Sequence, residues 1–192
     1  MPHLGYPDFV SRFALDPLAT KIHVFTFAEG FLARLAHDLR LTVGHLDLTA
    51  DRAAAGEACV RGSISLSAVR VDGVMKGGAL RADVLSEKDK EEILEKMREE
   101  VFGGAAPDSQ LGFEGTLAGK AFAGTISAPN GRSTSVTCQV SGASGEGSET
   151  VRGTIELSLR GLAGRDIKGP LGAFRIADTV RVDFDATFCL LP

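Results

Sequence analysis

The sequence predicts an all-β fold, an eight-stranded antiparallel barrel with one main α-helix at about residues 86–101. Three observations carry this. Apolar and polar residues alternate with a period of two through most of the chain, the pattern of strands with one dry and one wet face. Short turn signals, rich in the chain's 23 glycines, punctuate these stretches. A single segment has helical periodicity with its own start and stop signals. Closure removes the exposed edges of an antiparallel sheet. At about eight strands the interior is filled by side chains or holds one small ligand.

Taken in order, Lys21-Ile-His-Val-Phe-Thr-Phe27 is rich in β-branched and aromatic residues and predicts a strand at 22–28. Residues 31–37 follow Gly30 and predict a short helical turn. Leu39, Leu41 and Val43 alternate with polar residues, whereas Leu46 and Leu48 change phase. One strand at 39–48 with a bulge near Gly44 or His45 accounts for both. Val60, Gly62, Ile64, Leu66 and Ala68 give the clearest alternation, a strand at 59–71 that leads into a glycine-rich segment at 73–78.

Ser86 is placed to cap the helix, and Asp89 stands in the capping-box position. Ile93, Leu94, Met97 and Val101 recur at helical spacing until Gly103-Gly104 and Pro107 end it. Its charges, of both signs, form a solvated face. Beyond Pro107 the pattern is all strand, at 110–117, 120–127, 133–141, 150–160 and 178–189. Gly119-Lys120 and Asn130-Gly131 are turn signals. Residues 141–149 are expected to be an exposed loop, and 161–172 an irregular connection.

Composition narrows the function classes. A chain of 192 residues suits one domain spanning 1–192, with 1–12 peripheral. Net charge is −4 with no basic block, so no nucleic-acid partner is expected. Cys59, Cys138 and Cys189 are odd in number and far apart, which excludes a disulfide scaffold and argues against a cysteine zinc site. Each lies in an apolar stretch and is expected as a buried, reduced thiol. No run of about 18 apolar residues predicts a membrane span. Residues 1–21 lack a signal-like apolar stretch and are broken by Pro2, Pro7 and Pro17, so the cytosol is the expected compartment.

Catalytic patterns are thin. His37-Asp38 and His45-Leu46-Asp47 match no metal-ligand spacing, and the strand geometry sets His37 and His45 apart. There is no serine nucleophile elbow and no reactive cysteine motif. Gly115-Thr-Leu-Ala-Gly119-Lys120 lacks the spacing and following helix of a phosphate loop. No catalytic residue, metal or cofactor is expected. The inner faces carry small residues: Gly62, Ala68, Gly115, Gly124, Gly153 and Ala186. Such residues either leave room for a cavity or mark points where strands bend, and both readings stay open.

Three stretches resemble the YceI-like, polyisoprenoid-binding family. The first is Ala14-Leu-Asp-Pro-Leu-Ala-Thr-Lys-Ile-His-Val-Phe-Thr-Phe27 with Gly30-Phe31 and Leu35-Ala-His-Asp-Leu39. The second is the helical excursion from Leu85 through Met97 into Pro107 and Leu111-Gly-Phe113. The third is Leu159-Arg-Gly-Leu-Ala-Gly164, Gly169-Pro-Leu-Gly172 and Asp178-Thr-Val-Arg-Val182. The resemblance implies a lipocalin-like barrel that binds an isoprenoid-, quinone- or fatty-acid-like lipid without chemistry of its own, as carrier, store or sensor. Burying an alkyl tail is favourable by about 0.8 kcal/mol per CH₂.

The expected lining is Phe25 and Phe27, Phe31 and Leu35 after Gly30, Leu39, Leu41 and Val43, Ile64 and Leu66, Phe113, Phe122 and Ile126, and Phe184 and Phe188. Plain core packing is the alternative role for each. Two other functions compete: a solid barrel acting as an interaction module, and a small enzyme using His37, Asp38 or His45. A homodimer stays open as an assembly.

Overall fold

A computed structural model describes residues 9–30, 37–168 and 174–192. Its strands are β1 (Phe9–Leu15), β2 (Lys21–Thr26), β3 (Ala28–Glu29), β4 (Asp38–Val43), β5 (Leu46–Ala53), β6 (Ala58–Ser65), β7 (Val69–Lys76) and β8 (Ala79–Arg81). After helix α1 (Glu87–Glu100) come β9 (Gln110–Ala118), β10 (Ala121–Ser127), β11 (Ser133–Gly145) and β12 (Ser148–Ser158). The short helix α2 (Leu159–Ala163), β13 (Arg175–Ile176) and β14 (Thr179–Leu190) follow. The helical turn expected at 31–37 lies outside the described residues, apart from His37.

Eight strands close a barrel in the order β1-β5-β6-β9-β10-β11-β12-β14, and β1 pairs back onto β14 through Phe13↔Leu190 and Leu15↔Phe188. All of these pairings are antiparallel. A branch, β2-β4-β7-β8, leaves the same edge of β14 nearer its start, where Phe184 faces Ile22. The branch prolongs the barrel wall. β1 and β2 follow one edge of β14 with the turn 16–20 between them, and β4 and β5 are one line of chain broken at Gly44-His45. Gly44 N–H bonds Ala68 O across that break at 2.8 Å. β6 and β7 are likewise one line, bent by a 3-10 turn at Leu66–Ala68. Beyond this bend β6's partner β9 is left behind, and β7 pairs with β8 instead.

The helices fill the gap that this bend opens. α1 carries a complete capping box: Ser86 Oγ accepts from Asp89 N–H at 3.2 Å, and Asp89 accepts from Ser86 N–H at 2.8 Å. Its apolar stripe, Ile93, Leu94 and Met97, packs on Leu41, Val69 and Val71. Gly103 and Gly104 adopt positive φ after it and reverse the chain, a conformation that costs glycine little. Val101 and Phe102 then join Leu66, Ala128 and Leu162 of α2 in a plug across this end. Asp178 anchors α2 by accepting from Arg160 N–H at 2.7 Å and from the Ser158 hydroxyl at 2.9 Å. These hydrogen bonds, the Arg160 one foremost, hold its carboxyl below the usual range.

The structure corrects several expectations. Residues 141–149 are no loop, because β11 and β12 run on to a tight hairpin with Gly145 opposite Ser148. The N-terminal region is not peripheral from Phe9 onward, since β1 closes the barrel. A register shift between Phe9 and Ser11 breaks its alternation. The glycine-rich segment after 71 continues as strand to Lys76. Cys189 is exposed, because it falls on the outer phase of β14. Cys59 and Cys138 are half-buried, and burial pushes the Cys138 thiol pKa up. No helix among the described residues is long and apolar enough to cross a membrane.

Candidate functional site

The barrel encloses a cavity of about 150 Å³. Its walls follow from the two-residue period of the strands. From β5 come Leu46, Leu48, Ala50 and Arg52, and from β6 Ala58, Val60 and Ile64. β9 and β10 give Phe113, Leu117, Phe122 and Ile126, while β11 and β12 give Val140, Glu149, Val151 and Ile155. β14 presents Val182, Phe184, Ala186 and Phe188, and Phe13 and Ile22 complete the ring. All but Arg52 and Glu149 are apolar.

The inner glycines explain why the lumen is open. A Cβ on Gly115 would lie 2.4 Å from Phe122 Cζ, and one on Gly124 2.8 Å from the same atom. A Cβ on Gly153 would lie 2.7 Å from Phe184 Cζ. The phenyl rings therefore occupy the space over bare backbone that side chains at these positions would take. Phe113 and Phe122 stack beside each other, with centroids 5.6 Å apart and planes 4° from parallel. Gly62 has a different cause: its Cβ would sit 1.8 Å from Asp47 O, a close approach of β6 to β5.

At the end away from α1 stands the charged pair. Arg52 closes the inner row of β5 and Glu149 opens that of β12. These strands are separated in the barrel by β1 and β14, so the pair reaches across the wall rather than linking neighbours. Both terminal nitrogens of the guanidinium donate to the two carboxylate oxygens, a bidentate fork. The guanidinium carbon lies 5.3 Å from the centroid of the Phe13 ring. The side chains are 33 % and 19 % exposed, which puts the pair at a mouth rather than in bulk solvent. Hydrogen bonding to Glu149 raises the Arg52 pKa still further and keeps it charged. Arg52 Nε is buried and has no hydrogen-bond partner among the described residues.

Of the lining expected from sequence, the structure brings together Ile64, Phe113, Phe122, Ile126, Phe184 and Phe188. Val43 belongs to the barrel core without lining the cavity. Leu39 and Leu41 face the apolar stripe of α1, and Leu66 is part of the end plug. Phe25 and Phe27 do not line the cavity. In β2 the inner phase belongs to Ile22 and Val24, opposite Phe184 and Val182, so Phe25 turns outward. There it is covered by Arg181, whose guanidinium lies 4.3 Å from the ring centroid. Phe31 and Leu35 lie outside the described residues.

The sequence reading missed Arg52, Glu149 and several aliphatic residues. The alternation Leu46, Leu48, Ala50, Arg52 was a usable signal, but the expected strand stopped at 48. Glu149 falls in the stretch 141–149 that the sequence predicts as a loop.

The histidines do not converge on the cavity. His37 is exposed at the start of β4, and Asp38 accepts Ala28 N–H at 3.0 Å, holding the strand's start in place. His45 is exposed beside Asp47, at 3.4 Å. On the outer face, His23 Nδ1 lies 3.1 Å from Thr42 Oγ1, which donates to Asp72 at 2.8 Å. Arg40 donates to the same carboxylate oxygen at 2.7 Å. The single hydroxyl proton of Thr42 is thereby used, which makes His23 the donor in its contact. The arrangement bonds strands together and leaves no activated nucleophile. Among the described residues no group of three or more His, Cys, Asp or Glu is placed to hold a metal ion.

No protein-family model and no curated protein matches the chain in sequence. Among solved structures it is similar to the crystal structure of Burkholderia cenocepacia BcnA, with a TM-score of 0.58 at 14 % identity. The match covers 90 % of this chain and 98 % of that one. At this identity the likeness is one of fold.

Proposed function

We propose that the barrel binds an apolar or weakly polar small molecule in its lumen and does no chemistry on it, as a carrier, store or sensor of the YceI-like kind. The observation that carries this reading is the cavity of about 150 Å³ whose lining is apolar apart from one ion pair at its mouth. A dry apolar void of about this size takes a molecule as large as benzene without rearrangement. A longer isoprenoid, quinone or fatty-acid-like tail requires the lumen to lengthen. Toward α1 that means displacing the plug of Leu66, Val101, Phe102, Ala128 and Leu162. Each further CH₂ brought out of water would add about 0.8 kcal/mol.

The test is mass spectrometry of organic extracts from protein purified without detergent. A stoichiometric apolar compound, absent from the extract of an unrelated protein handled identically, supports the reading. Extracts empty of such a compound, together with no uptake of added apolar probes, would favour the solid interaction module.

A further inference from the structure

We infer that the mouth of the cavity selects an uncharged head group over a carboxylate, phosphate or amine on the same tail. This rests on the proposed binding of an apolar tail in the lumen and adds the chemistry of its polar end. The argument begins with charge balance. Arg52 and Glu149 are the charged side chains among the cavity lining, and they neutralise each other through a bidentate fork. An anionic head arriving from the lumen meets a guanidinium whose paired donors are already engaged. To reach Arg52 it must displace Glu149, leaving a mostly buried carboxylate without its partner and beside a second negative charge. A cationic head must likewise separate Arg52 from Glu149.

A neutral head disturbs nothing. It leaves the bidentate fork intact and both charges compensated. A primary amide also offers N–H groups to the remaining lone pairs of Glu149. The Phe13 ring under the guanidinium holds the fork from one side and favours its staying in place.

The test uses four ligands of one chain length, octanamide, octanoate, octylamine and octane, titrated calorimetrically or by displacement of an apolar fluorescent probe at neutral pH. Octanamide is expected to bind at least tenfold more tightly than either charged ligand. Glu149→Gln keeps the shape of the side chain and removes its charge, so it should reverse the order and favour octanoate. Equal binding of octanamide and octanoate by the natural protein overturns the inference while leaving the apolar-binding reading intact. If none of the four binds, octane included, both fall together. If Glu149→Gln fails to fold, the order among the four ligands in the natural protein decides the matter alone.

Discussion

Replacing Ala186 with Leu puts extra carbon where the structure has void. Ala186 is 6 % exposed, faces Val151 across β12 and β14, and lines the cavity. Leucine adds three carbons, worth about 2.4 kcal/mol at about 0.8 kcal/mol for each buried CH₂. Freezing the leucine rotamers opposes this by about 0.5–1 kcal/mol. The emptied protein should therefore gain about 1.5–2 kcal/mol. For a chain of this size that raises Tm by roughly 3–8 °C, at about 2–4 °C per kcal/mol. Calorimetric melting of delipidated protein measures it. Ligand response moves the opposite way. A ligand present at 100 times its Kd stabilises the natural protein by about 2.7 kcal/mol, and the variant should lose that increment because the space is taken. A fall in Tm matching an overpacking cost of about 1–3 kcal/mol would refute the reasoning, since it would mean that the residues around Ala186 already fill the barrel.

Gly153→Ala should drive the Phe184 ring off the wall and into the lumen, because the new Cβ would lie 2.7 Å from Phe184 Cζ and 3.2 Å from Gln139 O. Binding of an apolar probe should weaken at least tenfold while circular dichroism keeps its strand signature, and unchanged binding would show that the ring's position does not control the space. Asp178→Asn should loosen α2 and the end plug. The native environment lowers the Asp178 pKa, so its charge stabilises the fold above the unfolded value of about 4, and that contribution fades as pH falls through the lower, folded value. The stability gap between natural protein and variant, read by urea unfolding, should be full at pH 7 and narrow below about pH 4. A gap independent of pH would assign the effect to packing.

The helix was legible because its signals are local: Ser86 with Asp89 at one end, Gly103-Gly104 at the other, and a stripe between them. The strands from Gln110 onward were legible as far as they keep one dry face, and the tip of the β11–β12 hairpin was not, because β11 is exposed on both faces beyond Val140. Register was harder to read. In Lys21–Thr26 both phases carry apolar residues, and the pairing of Ile22 and Val24 with β14, not propensity, decided that Phe25 would lie outside under Arg181. Leu39 and Leu41 are expected in the cavity lining, but what covers them is α1, a contact distant in sequence. Arg52 and Glu149 lie 97 residues apart and meet only because the barrel closes, so no local pattern could pair them. The glycines posed the same difficulty. That Gly115 and Gly124 both lie under Phe122 depends on the strand registers, which are fixed by the whole sheet.

The central claim, that an apolar molecule enters this lumen, is tested most directly by methyl chemical shifts during a benzene titration. The account predicts saturable shifts at Val60, Ile64, Val140, Val151, Ile155 and Val182, which line the cavity, and none at Leu41, Val69 and Val71 beneath α1. Shifts that never saturate, or that appear at the α1 face and not in the lumen, would contradict it.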